Sequence, residues 1–178
     1  KSLGMDTIVT DHHEPPKDLP DAVAVIDAKR ADSAYGFRDL AGCGVAYRFM
    51  EAFAGTYRKV GSPPLLEATL GMAALGSVSD RVPLLDENRV IAYNGVKDLL
   101  HKRIVAFTAL KSHMWVDRES TMTEVFSKMI PIVGASRSHE GGNLGCELLL
   151  ATEEDDAEEI LGHLVTESER KKEKARKA

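Results

Sequence analysis

DTIVTDHHEPPKDLPDAVAVID, residues 6–27, holds two short apolar runs separated by a loop that cannot be helical. TIVT (Thr7–Thr10) is short, β-branched and apolar on both faces, the pattern of a buried parallel strand. AVAVID (Ala22–Asp27) reads the same way and ends on a carboxylate. The prolines of EPPKDLPD exclude a helix between the two strands. The preceding KSLGMDTIVT reads as the end of a helix, a turn at Gly4 and a strand, which is an entry into the middle of a βαβ unit. The sequence is therefore expected to be a piece of a longer α/β protein.

Helices are expected to follow the strands. From Asp39 to Tyr57, Leu40, Val45, Phe49 and Phe53 recur at helical spacing, and Ala41, Gly42 and Gly44 permit close packing on a sheet. PPLLEATLGMAALGSVSD opens on two prolines, suited to a helix start, and is expected to stop before Asp80. ENRVIAYNGVKDLLHKR reads as one helix or as two short ones broken near Asn94–Gly95. Periodicity weakens from Ile104 to Ile132, where STMTEVFSKMIPIVG predicts a helix and then a brief extended piece. The last helix starts in acidic EEDDAEE (residues 153–159) and ends in basic ERKKEKARK, complementing the helix dipole, with Ile160, Leu161, Leu164 and Val165 on its apolar face.

Composition narrows the function classes. The 178 residues are 43% hydrophobic, enough to bury a core, and the net charge of −5 gives no global basic field. A polyanion site must therefore be local. No apolar run approaches the roughly 20 residues that span a bilayer, so no membrane partner is expected. Cys43 and Cys146 lack CxxC spacing; they are expected to be small buried residues in a reducing, cytoplasmic setting.

Three stretches carry residues suited to chemistry. Asp11, His12 and His13 follow the first strand, where open parallel sheets bind ligands. Imidazole ligates divalent metals, and a neighbouring carboxylate either joins the metal or orients the ring. Side chains adjacent in an extended segment point to opposite sides, so the two histidines are expected to do different jobs, one on a metal and one on a substrate oxygen. An exposed polar turn is the alternative. Asp80, in LGSVSDRVPLLDENR (Leu75–Arg89), follows a small, apolar helix end and suits a bridging metal ligand, or else a turn aspartate paired with Arg81. Asn88 and Arg89 are expected to cap and pin the following helix. In GASRSHEGGNLGCELLL (Gly134–Leu150), Arg137 and His139 precede a helix starting near Asn143. Backbone N–H groups and a guanidinium there would converge on a phosphate, or the stretch is an ordinary loop.

Taken together these stretches resemble the DHH phosphoesterase family, and within it the RecJ-type single-stranded-DNA exonucleases. IVTDHHEPPKDLPDAVAVIDA resembles the family's third motif, YGFRDLAGCGVAYRFMEA its LAG helix, and LGSVSDRVPLLDENRVIAYNG its fourth motif; ESERKK is similar to a stretch on the helix that leaves the catalytic domain. The resemblance implies the second half of a DHH domain over residues 1–152, a parallel sheet flanked by helices. Residues 153–178 would form a long connecting helix toward a DHHA1 domain, whose Gly-Gly-Gly-His loop does not occur in this sequence. It further implies a centre of two Mn2+ (or Mg2+) ions. His12 is implied as a metal ligand, Asp11 as ligand or orienter, Asp80 as the bridge between metals, and His13 and Arg137 as contacts of the substrate phosphate.

The implied activity is hydrolysis of single-stranded DNA from its 5′ end in repair or recombination. Short RNA or cyclic dinucleotides are the alternative substrates, and a replication-fork binding module, as in archaeal relatives that bind GINS, is the alternative class. The family's first two motifs precede the DHH triplet, so this piece alone is expected to lack most of its metal ligands and to be inactive.

Overall fold

The computed structural model describes residues 4–56, 64–135 and 142–177, with the backbone alone for 64–67. The elements in order are β1 (Ile8–Thr10), β2 (Ala24–Ile26), α1 (Gly42–Thr56), α2 (Pro64–Ser79), α3 (Asp86–His101), α4 (Val105–Met114), α5 (Met122–Val133), α6 (Leu144–Leu150) and α7 (Glu154–Lys177). They fall into two compact units, Lys1–Gly95 and Val96–Ala178.

In the first unit β1 and β2 pair in parallel, with Ile8 opposite Ala24, Val9 opposite Val25 and Thr10 opposite Ile26. The ladder reaches one bond beyond each strand end, through Val23 N–H to Thr7 O and Asp11 N–H to Ile26 O. The direction is as expected, but the burial is not. Ile8 is 50% exposed and β1 alternates exposed and half-buried positions. The described sheet has only these two strands, too few to bury both faces of either.

The core of this unit lies under α1 and α2, in Leu40, Ala41, Val45, Ala73, Ala74 and Leu75. These helices meet through small residues: a Cβ added at Gly76 would lie 2.6 Å from Cys43 Sγ. The α1 helix starts at Gly42 rather than Asp39, and Phe53, placed on its apolar stripe by spacing, is 46% exposed. No break interrupts α3 at Asn94–Gly95. Gly95 serves packing: a Cβ there would stand 2.3 Å from Ala74 Cβ and 2.7 Å from the Leu70 carbonyl oxygen. Its helix cost, about 1 kcal/mol relative to alanine, is the condition for that approach.

In the second unit α7 packs against α4, α5 and α6. Its buried residues Ala157, Leu161, Leu164 and Ser168 form one stripe, close to the expected face. Leu99, Phe107, Leu110, Val125, Met129 and Leu148 complete this core, each large apolar side chain contributing about 1.5–3 kcal/mol of transfer free energy. The stretch of weak periodicity contains α4, whose Ala106, Phe107, Leu110 and Met114 are buried.

The extended piece expected after STMTEVFSKM is helical instead. Thr121 and Glu124 form a capping box at the start of α5, worth about 1 kcal/mol. Burial of Met129 and Ile132 then carries the helix through Pro131. Asn143 caps α6 by accepting from Gly145 and Cys146 N–H. That short helix turns Gly145 and Leu148 inward and leaves Cys146 exposed, against the expectation of two buried cysteines. Among the described residues no helix is long and apolar enough to cross a membrane.

Candidate metal centre

Asp11, His12 and His13 stand directly beyond β1, with Asp11 N–H making the last bond of the ladder. Asp11 Oδ1 accepts from His12 N–H at 2.7 Å and from His13 N–H at 3.3 Å, and it lies 2.7 Å from His13 Nδ1. The His13 ring first, then the two backbone N–H groups, pull the Asp11 pKa down from its ordinary 3.8 to about 2. A carboxylate so held is ionised at any physiological pH. Because it can only accept, His13 Nδ1 donates, and Nε2 is the nitrogen left free in the neutral ring.

The tight turn brings the two rings together, with centroids 4.3 Å apart at 47°. This differs from the opposite-sided arrangement expected of an extended segment, since the chain bends at His13. The rings nevertheless have different surroundings. The His13 side chain is 75% exposed, whereas that of His12 is 21% exposed and has its Nε2 3.6 Å from Asp80 Oδ2. Gly42, the first residue of α1, backs His12: a Cβ there would lie 3.2 Å from His12 Cδ2.

Asp80 arrives from the other direction, at the carboxyl end of α2, where its N–H closes the last turn on Gly76 O. Arg81 follows at φ 58° and ends the helix in the left-handed region, and Asp86 at φ 40° opens α3 the same way. Each such non-glycine residue costs on the order of 1–2 kcal/mol. The Asp80–Asp86 loop is thus turned sharply at both ends. The contact of Asp80 across this turn is His12, not Arg81 as its structural alternative supposed.

The geometry therefore brings Asp11, His12, His13 and Asp80 into one place on the first unit. One ligand atom each from Asp11, His12 and His13 lies within 4.8 Å of the other two, a spacing one divalent cation can bridge. Carboxylate and imidazole donors suit Mn2+ or Mg2+ better than a thiolate site does. The nearby Cys43 adds no thiolate, because burial pushes its pKa up and its Sγ lies 3.3 Å from Ala73 O as a donor.

Arg137 and His139 lie outside the described residues. The phosphate-binding role expected of the backbone beside them is not open at Gly145 and Cys146, whose N–H groups are taken by Asn143. Sequence reasoning also left unread a cavity of about 430 Å³ at the end of β2, lined in part by Asp27, Tyr35, Leu40, Arg48 and Phe49. Asp27, only 6% exposed, was legible as a strand-end carboxylate, but the walls come from three separate segments.

Residues 1–77 match the DHH family, N-terminal domain. They are DHH-family sequence. Similarity to RecJ proteins extends past this DHH segment. The chain is 33% identical over 165 residues to the single-stranded-DNA-specific exonuclease RecJ of Bacillus subtilis, covering 92% of this chain and 20% of that protein. It is 30% identical over 167 residues to the Haemophilus influenzae protein of the same name, covering 90% and 29%. It thus spans less than a third of the length of either relative. Among solved structures, exonuclease RecJ bound to manganese superposes with TM-score 0.75 at 26% identity, over 95% of this chain and 42% of that one. RecJ from Thermus thermophilus in complex with Mn2+ gives TM-score 0.75 at 25% identity, over 96% and 25%. The DHH segment and the helices after it have the α/β fold of these structures.

Proposed function

We propose that this chain supplies part of the metal centre of a RecJ-type nuclease, a phosphodiesterase that hydrolyses single-stranded DNA from its 5′ end in DNA repair or recombination in the cytoplasm. The observation that carries the reading is the meeting of His12, beside Asp11 at the end of a strand, with Asp80 at the end of a helix, His12 Nε2 and Asp80 Oδ2 being 3.6 Å apart. Its support from relatives is the run of RecJ proteins matched along the chain and the manganese in the solved RecJ structures.

Asp11, His12 and Asp80 would hold the metal in this reading, with Asp80 shared by two ions. Mn2+ or Mg2+ would supply Lewis acidity there for the in-line displacement of a phosphodiester. Two such ions need more donors than these side chains offer, and waters or further carboxylates would fill the remaining positions. Asp11 serves twice, since its ionised group both offers charge to the metal and fixes the tautomer of His13. That leaves His13 Nε2 exposed toward the scissile phosphate, to which it donates when the ring carries a proton on both nitrogens. Arg137 completes the phosphate contacts. Residues 153–178 act as the connection onward from a catalytic part over residues 1–152.

The whole protein carrying this segment, given Mn2+ and 5′-labelled single strands, should release short products from the labelled end. Asp80→Ala should lower the rate at least ~100-fold, the scale of losing a group that stabilises transition-state charge. Undiminished activity in that variant rejects the metal role, and equal turnover of short RNA rejects the preference for DNA.

A further inference from the structure

The fourth-motif loop that carries Asp80 is held by a residue that touches no metal ligand. Asn88, in the first turn of α3, is completely buried. Its Nδ2 donates to Asp39 O at 2.7 Å and to Pro83 O at 3.0 Å. Asp39 lies just upstream of Gly42, which backs the His12 ring; Pro83 lies just downstream of Asp80. One amide group therefore ties together the two backbone segments that set the separation of His12 from Asp80.

The expected capping role does not describe this geometry, because both donated bonds leave the helix for loops. Asn88 Oδ1 is buried without a hydrogen-bond partner among the described residues, a cost that two good donor bonds must outweigh. The neighbouring Glu87 adds a second tie at the same helix start, accepting from Tyr35 O–H at 2.7 Å and lying 3.2 Å from Arg48 Nε. Between Asp80 and this clamp the backbone enters the left-handed region at Arg81 and at Asp86, conformations that persist only where the surroundings over-determine them.

We infer that Asn88 is a positioning residue for the metal centre: its two donated hydrogen bonds hold the loops of Gly42 and Asp80 at the spacing at which His12 and Asp80 share a cation. The inference rests on the metal reading given above. Residues that orient ligands without touching the metal typically change metal affinity by ~10–100-fold when replaced. Asn88→Leu is the informative variant, since it keeps the branching at Cγ in a larger side chain, removes both donors and removes the orphan acceptor as well. Asn88→Ser keeps one donor in a smaller side chain and serves where the leucine variant does not fold.

The test is Mn2+ titration of the whole protein, followed by the electron paramagnetic resonance of free Mn2+, with melting temperatures recorded in EDTA. Val125→Ala, in the core of the second unit, is the control for a general loss of stability. Asn88→Leu should weaken Mn2+ binding roughly tenfold or more, Asn88→Ser should fall between it and wild type, and Val125→Ala should bind as wild type does. Wild-type affinity in the folded Asn88 variants overturns the positioning role and leaves the metal reading standing. An equal loss in Val125→Ala overturns it as well, by showing that affinity follows stability alone. Failure of the wild-type protein to bind Mn2+ overturns both.

Discussion

A methyl group built on Gly42 would meet His12 Cδ2 at 3.2 Å and Nε2 at 3.8 Å. The first contact is closer than carbon atoms comfortably pack, so the ring must give by a few tenths of an ångström. The ring can only turn about its own bonds, and the direction that relieves the methyl group alters its distance from Asp80 Oδ2, now 3.6 Å. In the whole protein Gly42→Ala should fold, because alanine is the better helix former at this position. Its Mn2+ requirement should rise several-fold, read as the concentration giving half-maximal rate, against an unchanged kcat at saturating metal. An unchanged requirement would mean the ring has room the geometry does not show. The place of Asp11 and His12, at the carboxyl end of a parallel strand, was legible from the sequence and is where the structure puts them. The service of Gly42 was not, because it depends on a loop of intervening residues folding back so that α1 begins beside that strand end.

At the scale of elements, the sequence misled where local propensity and packing disagree. Asn94–Gly95 is a strong local breaker, yet α3 passes through it because Gly95 is where Ala74 and the Leu70 carbonyl come closest. Pro131 should have ended α5, and burial of Met129 and Ile132 keeps the helix going. The α4 helix was hidden by the polar Lys111, Ser112 and His113 between its buried Leu110 and Met114. The parallel pair and the amphipathic α7 were plain, since their patterns are local. These differences make a definite expectation. Gly95→Ala would improve an isolated helix by about 1 kcal/mol, but its methyl group would sit 2.3 Å from Ala74 Cβ and 2.7 Å from a backbone oxygen. Neither obstacle is the flexible end of a side chain, so overpacking dominates. Gly95→Ala should destabilise by about 1–3 kcal/mol in chemical denaturation, and a stabilised variant would show that the helices separate freely.

For the whole molecule, the net charge of −5 makes a concentrated anionic site costly and a bound cation correspondingly favourable. Asp11, His12 and His13 cluster in the first unit with Asp80 facing His12 from the end of α2, and folding must assemble these groups before any metal can use them. The unfolded chain has the same side chains but not their arrangement, so a Mn2+ ion held at this site would favour the native state. A ligand present at 100 times its dissociation constant then stabilises by about 2.7 kcal/mol. In the whole protein, calorimetry should show the transition containing this segment moving to higher temperature as Mn2+ is added, with the gain reversed by EDTA. Asp80→Ala removes the carboxylate that faces His12 at 3.6 Å on a half-exposed surface, so its melting temperature in EDTA should stay close to that of wild type. Its gain on adding Mn2+ should be mostly lost. A variant that gains as much from Mn2+ as wild type would place the stabilising ion elsewhere, whereas two curves that coincide without metal and separate as it is added are the behaviour expected of a site whose ligands are held in readiness by the fold.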